Sequence, residues 1–134
     1  SNYGKHHLED MLNYARIMPS VNQIEINPWL QRPSLISATI ESGATPMAYS
    51  PLARGHKVRD PSLVQIANIL GCTPAQVAIK WCIDSGAITI PKSSNPDRIV
   101  ENFHSQNIDI TPVMEQLQSM DENYVSGWDP TVEI

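Results

Sequence analysis

Apolar positions in this chain switch between two periods. From Lys5 to Arg16, the residues Leu8, Met11, Leu12 and Ala15 recur at steps of three and four, the spacing of one face of a helix that must close before Pro19. Val21-Asn22-Gln23-Ile24-Glu25-Ile26-Asn27 then alternates at period two, as a strand does, and Pro28 ends it. Gln23 and Glu25 share one face of that strand, which water would cover in an antiparallel sheet and which would line a site in a parallel barrel.

Pro33 opens a second helix through Leu35, Ile36, Thr39 and Ile40, with Gly43 just past its end. Thr45 to Ser50 reads as a short apolar strand stopped by Pro51. The loop from Leu52 to Arg59 carries Arg54, Gly55, His56, Lys57 and Arg59, the densest positive cluster in the chain and, taken plainly, a solvated loop. Asp60-Pro61 caps a helix with Leu63, Ile66, Ala67 and Leu70 on one side and Gly71 at its end. Thr73-Pro74-Ala75-Gln76 is a capping box, and Val77, Ala78, Trp81 and Cys82 form the apolar face that follows. A third strand spans Ala87 to Ile90, a helix opens at Asn95-Pro96, and a last one is signalled by Thr111-Pro112 with Val113, Leu117 and Met120. The tail from Val125 to Ile134 has no periodicity.

Strands thus alternate with helices three times, and no tight hairpin dipeptide joins any two of them. That order predicts an α/β fold with a parallel sheet of about three strands. Three strands are few for a parallel sheet, which normally needs cover on both faces.

The 134 residues, 41% of them hydrophobic, suffice for one compact core. Nine basic residues against 14 acidic ones leave a net charge of −5, so no basic field exists to hold nucleic acid. Cys72 and Cys82 fall in stretches that read as helical and have no metal-ligand spacing, so free thiols and a cytoplasmic setting are expected. No apolar run approaches a membrane span, and the polar start is not a signal sequence. The His6-His7 pair is not read as a metal site, because adjacent residues on a helix point in different directions.

The stretch Ile88 to Asn102 carries the most chemistry. A strand feeds through Pro91 into Lys92, Ser93 and Ser94, and a helix N-terminus follows at Asn95. The dipole and unpaired N–H groups of that terminus, two hydroxyls, and the cations Lys92 and Arg98 suit a phosphate. An ordinary strand-to-helix turn with a surface lysine has the same local signature.

With these residues in order, the chain resembles the C-terminal half of an aldo-keto reductase, a (β/α)8 barrel family that uses NADPH. The resemblance rests on Ser1-Asn2-Tyr3-Gly4, Val21 to Glu25, Ala48-Tyr49-Ser50-Pro51-Leu52, Thr73 to Ala78, Ile90-Pro91-Lys92-Ser93, Arg98 to Asn102 and Trp128-Asp129-Pro130. It implies that Ser1, Asn2 and Gln23 hold the nicotinamide carboxamide and that Tyr49 stacks on the ring. It places Ser50, Pro51, Leu52, Arg54 and Gly55 along the pyrophosphate. It gives Lys92, Ser93, Ser94, Asn95, Arg98, Glu101 and Asn102 to the adenosine 2′-phosphate and adenine. Two departures stand out: the family's Ser-Asn-Phe reads Ser-Asn-Tyr here, and its His-Pro after the Gln-Ile-Glu strand reads Asn27-Pro28.

The resemblance also implies a gap. The family's catalytic Tyr, Lys, Asp and His come from the first half of a barrel of roughly 250 residues, and that half is absent from these 134 residues. The expectation is therefore a cofactor-binding half without proton-transfer residues, acting on a carbonyl substrate only if an N-terminal half completes it. The alternative is a non-catalytic half-barrel that binds nucleotide or phosphate, or that self-associates through its open strand edges.

Overall fold

The computed structural model describes all 134 residues. In chain order they form α1 (Lys5–Met11), β1 (Val21–Glu25), α2 (Pro33–Glu41), β2 (Thr45–Tyr49), α3 (Pro61–Leu70), α4 (Pro74–Asp84), β3 (Ile88–Thr89), α5 (Pro96–His104) and α6 (Met114–Gln118), with short 3-10 turns between and after them. The sheet has the order β1-β2-β3 and is parallel throughout. Its register sets Val21 against Thr45, Glu25 against Tyr49 and Met47 against Ile88.

Only one face of this sheet is fully covered by the chain itself. Asn22, Ile24, Pro46 and Ala48 are buried, whereas Val21, Gln23, Met47 and Tyr49, of opposite parity, are half-exposed. Ile24 and Ala48 pack into a continuous core with Leu63, Ile66, Val77, Ala78 and Trp81 from α3 and α4. The sheet is thus the segment of a barrel wall, helices outside and lumen face open.

Helix starts follow their caps. Asp60 accepts from the N–H groups of Ser62 and Leu63, and Asn95 from those of Asp97 and Arg98. Thr73 and Gln76 form the reciprocal pair that their spacing predicts.

Four expectations shift. The helix read to Arg16 stops at Met11, because Leu8 is the one buried residue of α1 and Leu12 and Tyr14 face water. The first strand leaves the ladder after Glu25, where Asn27 turns back to pair with Leu30. The third pairs over two residues, its other edge open. Cys72 lies in the turn between α3 and α4, not in a helix; Cys82 is buried in α4, where desolvation pushes its thiol far up and keeps it unionised.

Candidate functional site

The residues before α1 run along the free edge of β1. The N–H of Asn2 donates to the carbonyl of Gln23 at 2.8 Å, so the chain start lies alongside β1. Asn22 then grips Tyr3 on both sides, accepting from its N–H at 3.2 Å and donating to its carbonyl at 2.9 Å, while also donating to Thr39 at 3.2 Å. This arrangement holds Asn2 at φ +60°, a left-handed conformation that asparagine tolerates better than most residues. The Oδ1 of Asn2 is buried with no hydrogen-bond partner within the chain, so it is free to accept from a group outside it. Ser1 is exposed.

Gln23 has only the sulfur of Met47, at 3.4 Å, as a side-chain partner. One strand position further, Tyr49 ends β2 opposite Glu25, half-buried. Burial and then the Glu25 charge raise the Tyr49 pKa, so at neutral pH it is a neutral phenol. A neutral aromatic face at a strand end suits a flat heterocycle.

The chain turns sharply out of β2 at left-handed Ser50, and the Leu52 to Arg59 loop turns again at left-handed Ala53, Arg54 and Gly55. Pro51 and Ala53 are buried and Leu52 packs on the core, while Arg54, Gly55, His56 and Arg59 are exposed. The loop is not free. Lys57 pairs with Glu122 at 2.6 Å and lies over the Tyr124 ring, His56 meets the Tyr124 hydroxyl at 2.9 Å, and the Arg54 guanidinium lies against Gly127.

At the other end, Lys92, Ser94, Asn95 and Arg98 are exposed, and neither Lys92 nor Arg98 has an ion-pair partner. Ser93 exchanges hydrogen bonds with the backbone of Asn95. The Asn95 side chain already occupies two N–H groups of the helix end, so a phosphate here would rest on the Lys92 and Arg98 cations and the hydroxyls more than on free amides. Glu101 faces inward to α4, accepting from Thr73 Oγ1 at 2.8 Å, and its carbonyl accepts from Gln76. Asn102 lines an apolar groove with Ile79, Ile83, Ile99 and Phe103.

Sequence reasoning passed over three supports of this surface. Asn22 looked like one polar step of an alternating strand. Glu25 is buried and its carboxylate accepts from the Ser126 N–H, tying the tail to the strand end. Arg32 pairs with Asp129 at 2.9 Å and donates to Thr131 at 2.7 Å, pinning the Trp128-Asp129-Pro130 segment. Asn22, Glu25 and Asp129 lay inside motifs that the sequence does show, but their partners Tyr3, Ser126 and Arg32 are distant in the chain, and Arg32 lay in no motif.

A parallel, helix-backed sheet with a site at its strand ends defines part of a β/α barrel. Comparison with known proteins gives the family: residues 1–124 match the model of the aldo/keto reductase family, and the chain belongs to it. It is 37% identical to an uncharacterized oxidoreductase of Schizosaccharomyces pombe over 134 aligned residues, spanning 98% of this chain and 49% of that protein. It is 38% identical to aldose reductase B of Dictyostelium discoideum, spanning 92% and 40% respectively. Among solved structures, a variant of Gox0644 in complex with NADPH superposes with a TM-score of 0.88 at 32% identity, covering 99% of this chain and 50% of that one. The chain thus spans about half the length of the relatives it matches.

Proposed function

We propose that this chain is the cofactor-binding half of an NADPH-dependent carbonyl reductase. The observation that carries the reading is the buried, unpartnered Oδ1 of Asn2 beside Gln23 and near the strand end that bears Tyr49. A carboxamide NH2 is the group that such an acceptor lacks, and the Gln23 amide offers the complementary donor and acceptor. Lys92, Ser93, Ser94 and Arg98 supply the cationic, hydroxyl-bearing end for the 2′-phosphate, with Asn95 holding the helix end; Glu101 and Asn102 lie one turn on, and the Glu101 carboxylate would have to leave Thr73 to meet an adenine. Ser50, Pro51, Leu52, Arg54 and Gly55 form the turn between, along the pyrophosphate, and exposed Ser1 lies at the rim of the carboxamide end.

When bound, the nicotinamide would supply hydride to a carbonyl carbon of an aldehyde or ketone. The chain's own residues orient the ring and hold the phosphates. None of its tyrosines matches the family's general acid, so protonation of the oxygen falls to residues outside these 134.

Calorimetric titration of the purified chain with NADPH tests the reading: saturable one-to-one binding is expected, and no heat at millimolar cofactor overturns it. Carbonyl reduction by this chain alone is expected to be undetectable, and measurable turnover would show that a substitute acid exists.

A second reading, assembly with another half-barrel, is favoured by one feature. The helices adjoining β3 expose Ile83, Ile99 and Phe103 along one groove, and Ile88 and Ile90 are exposed on the free-edge strand itself. Covering that edge restores the sheet pairing that a barrel requires.

A further inference from the structure

We propose that His7 is a positioning residue for the carboxamide end of this site and that it acts only as the neutral imidazole. The proposal rests on the cofactor reading above. The N–H of Gly4 donates to His7 Nδ1 at 2.8 Å. A backbone N–H can only donate, so Nδ1 carries no proton and the ring hydrogen sits on Nε2.

Gly4 is the N-cap of α1, and a side chain there is ruled out by packing: an added Cβ would collide with the Thr131 carbonyl of the tail. No serine, threonine or aspartate can therefore cap this helix from the usual position. The remaining arm of a capping box is the third helical residue reaching back to the N-cap amide, and His7 is that residue. The chain contains its own control. At α4 the same bond runs from the Thr73 N–H to Gln76 Oε1 at 3.1 Å, with an amide acceptor that does not titrate.

The consequence reaches the site through two residues. Asn2 is held by its N–H on Gln23, Tyr3 by Asn22, and Gly4 by His7. Protonation of His7 at Nδ1 removes the third hold and turns two donors toward each other. The left-handed Asn2 then loses part of what fixes it, and its acceptor with it.

Charge around the ring comes from several elements. His6 lies 3.8 Å away between ring centroids, Tyr3 lies 5.5 Å away, and Lys5, Glu9 and Asp10 share α1. Arg32 and Glu41 lie at the two ends of α2, and Glu133 comes from the tail. The His6 contact behaves oppositely: its Nε2 donates to the Glu133 carbonyl at 2.8 Å, a bond that survives protonation. Of the two histidines, only His7 loses a hydrogen bond on the acid side. The sign is that the hold exists only while Nδ1 is unprotonated and is lost on the acid side, when the ring takes up its second proton.

The test follows the histidine nitrogens and the Gly4 amide by NMR on the whole chain from pH 8 to 5.5, and NADP+ affinity over the same range. Native chain, His7→Gln and His6→Gln are compared, since the cofactor's own 2′-phosphate titrates near pH 6 and must cancel. The expected result is an unprotonated Nδ1 at pH 8 and a Gly4 shift that follows the His7 titration. On acidification the native chain should lose about fivefold more affinity than His7→Gln, the scale of one hydrogen bond, and His6→Gln should behave as native. A proton on Nδ1 at pH 8, or a Gly4 amide indifferent to pH, overturns the neutral cap. Equal affinity losses in native and His7→Gln overturn the positioning role while leaving the cofactor site standing. Failure of both to bind NADP+ at any pH removes the cofactor reading and the role with it, while the Gly4 amide still decides the cap.

Discussion

The side chain of Asn22 grips the backbone of Tyr3 from both directions, accepting its N–H at 3.2 Å and donating to its carbonyl at 2.9 Å. Nineteen residues separate the two in the chain. The pairing lets three residues before α1 behave as an extra edge to β1 without forming a strand.

Replacing Asn22 by Ala should therefore cost about 2 kcal/mol, since it strips partners from two backbone groups at a buried position. Asn22→Asp keeps the acceptor for the Tyr3 N–H but sets a buried carboxylate oxygen against the Tyr3 carbonyl, so it should bind cofactor no more tightly than the alanine variant. Urea unfolding reads the first effect and NADPH titration the second.

Arg98 is exposed and free of carboxylate partners. Arg98→Ala should weaken NADPH by about tenfold, the scale of one charge-assisted hydrogen bond at an exposed site, and leave NADH unchanged. Equal losses for both nucleotides would remove Arg98 from the 2′-phosphate site.

The tail should loosen in acid. Burial raises the Asp129 pKa, but hydrogen bonds from Thr131 and Arg32 and the Arg32 charge outweigh it, so the carboxyl sits below its ordinary value. A depressed folded pKa contributes stability above the ordinary carboxylate range, near 4, that disappears as pH falls through the lower value. Asp129→Asn should release the tail already at neutral pH, costing about 2 kcal/mol for a half-buried pair. Amide exchange at Thr131 checks both expectations.

Self-association should depend on the β3 edge. Phe103→Ser should shift sedimentation of the chain toward monomer, because Phe103 sits exposed in the groove with Ile83 and Ile99. A native chain that sediments as a single monomeric species at high concentration would exclude pairing through this edge.

Much of the fold was legible before any coordinate. The period-two run at Val21, the caps at Asp60, Thr73 and Asn95, and the βαβ order all act over a few residues, where local backbone preference and side-chain capping dominate. The candidate site was legible as an ordered set of short motifs. Its supports were not, because Glu25 to Ser126 and Arg32 to Asp129 join residues about a hundred positions apart. Neither pair leaves a trace in local composition. The aperiodic tail is the clearest case: it is held by polar contacts to Glu25 and Arg32, which need no repeating apolar face.

The sequence by itself determined the alternation of strand and helix and the family, since each depends on residue type and order. Tertiary structure alone decided that one face of the sheet stays open, that Asn2 keeps an unpartnered acceptor, and that a glycine cap depends on His7. Those outcomes follow from which surfaces close-pack and which polar atoms find partners once the chain is compact, and that is settled only in three dimensions.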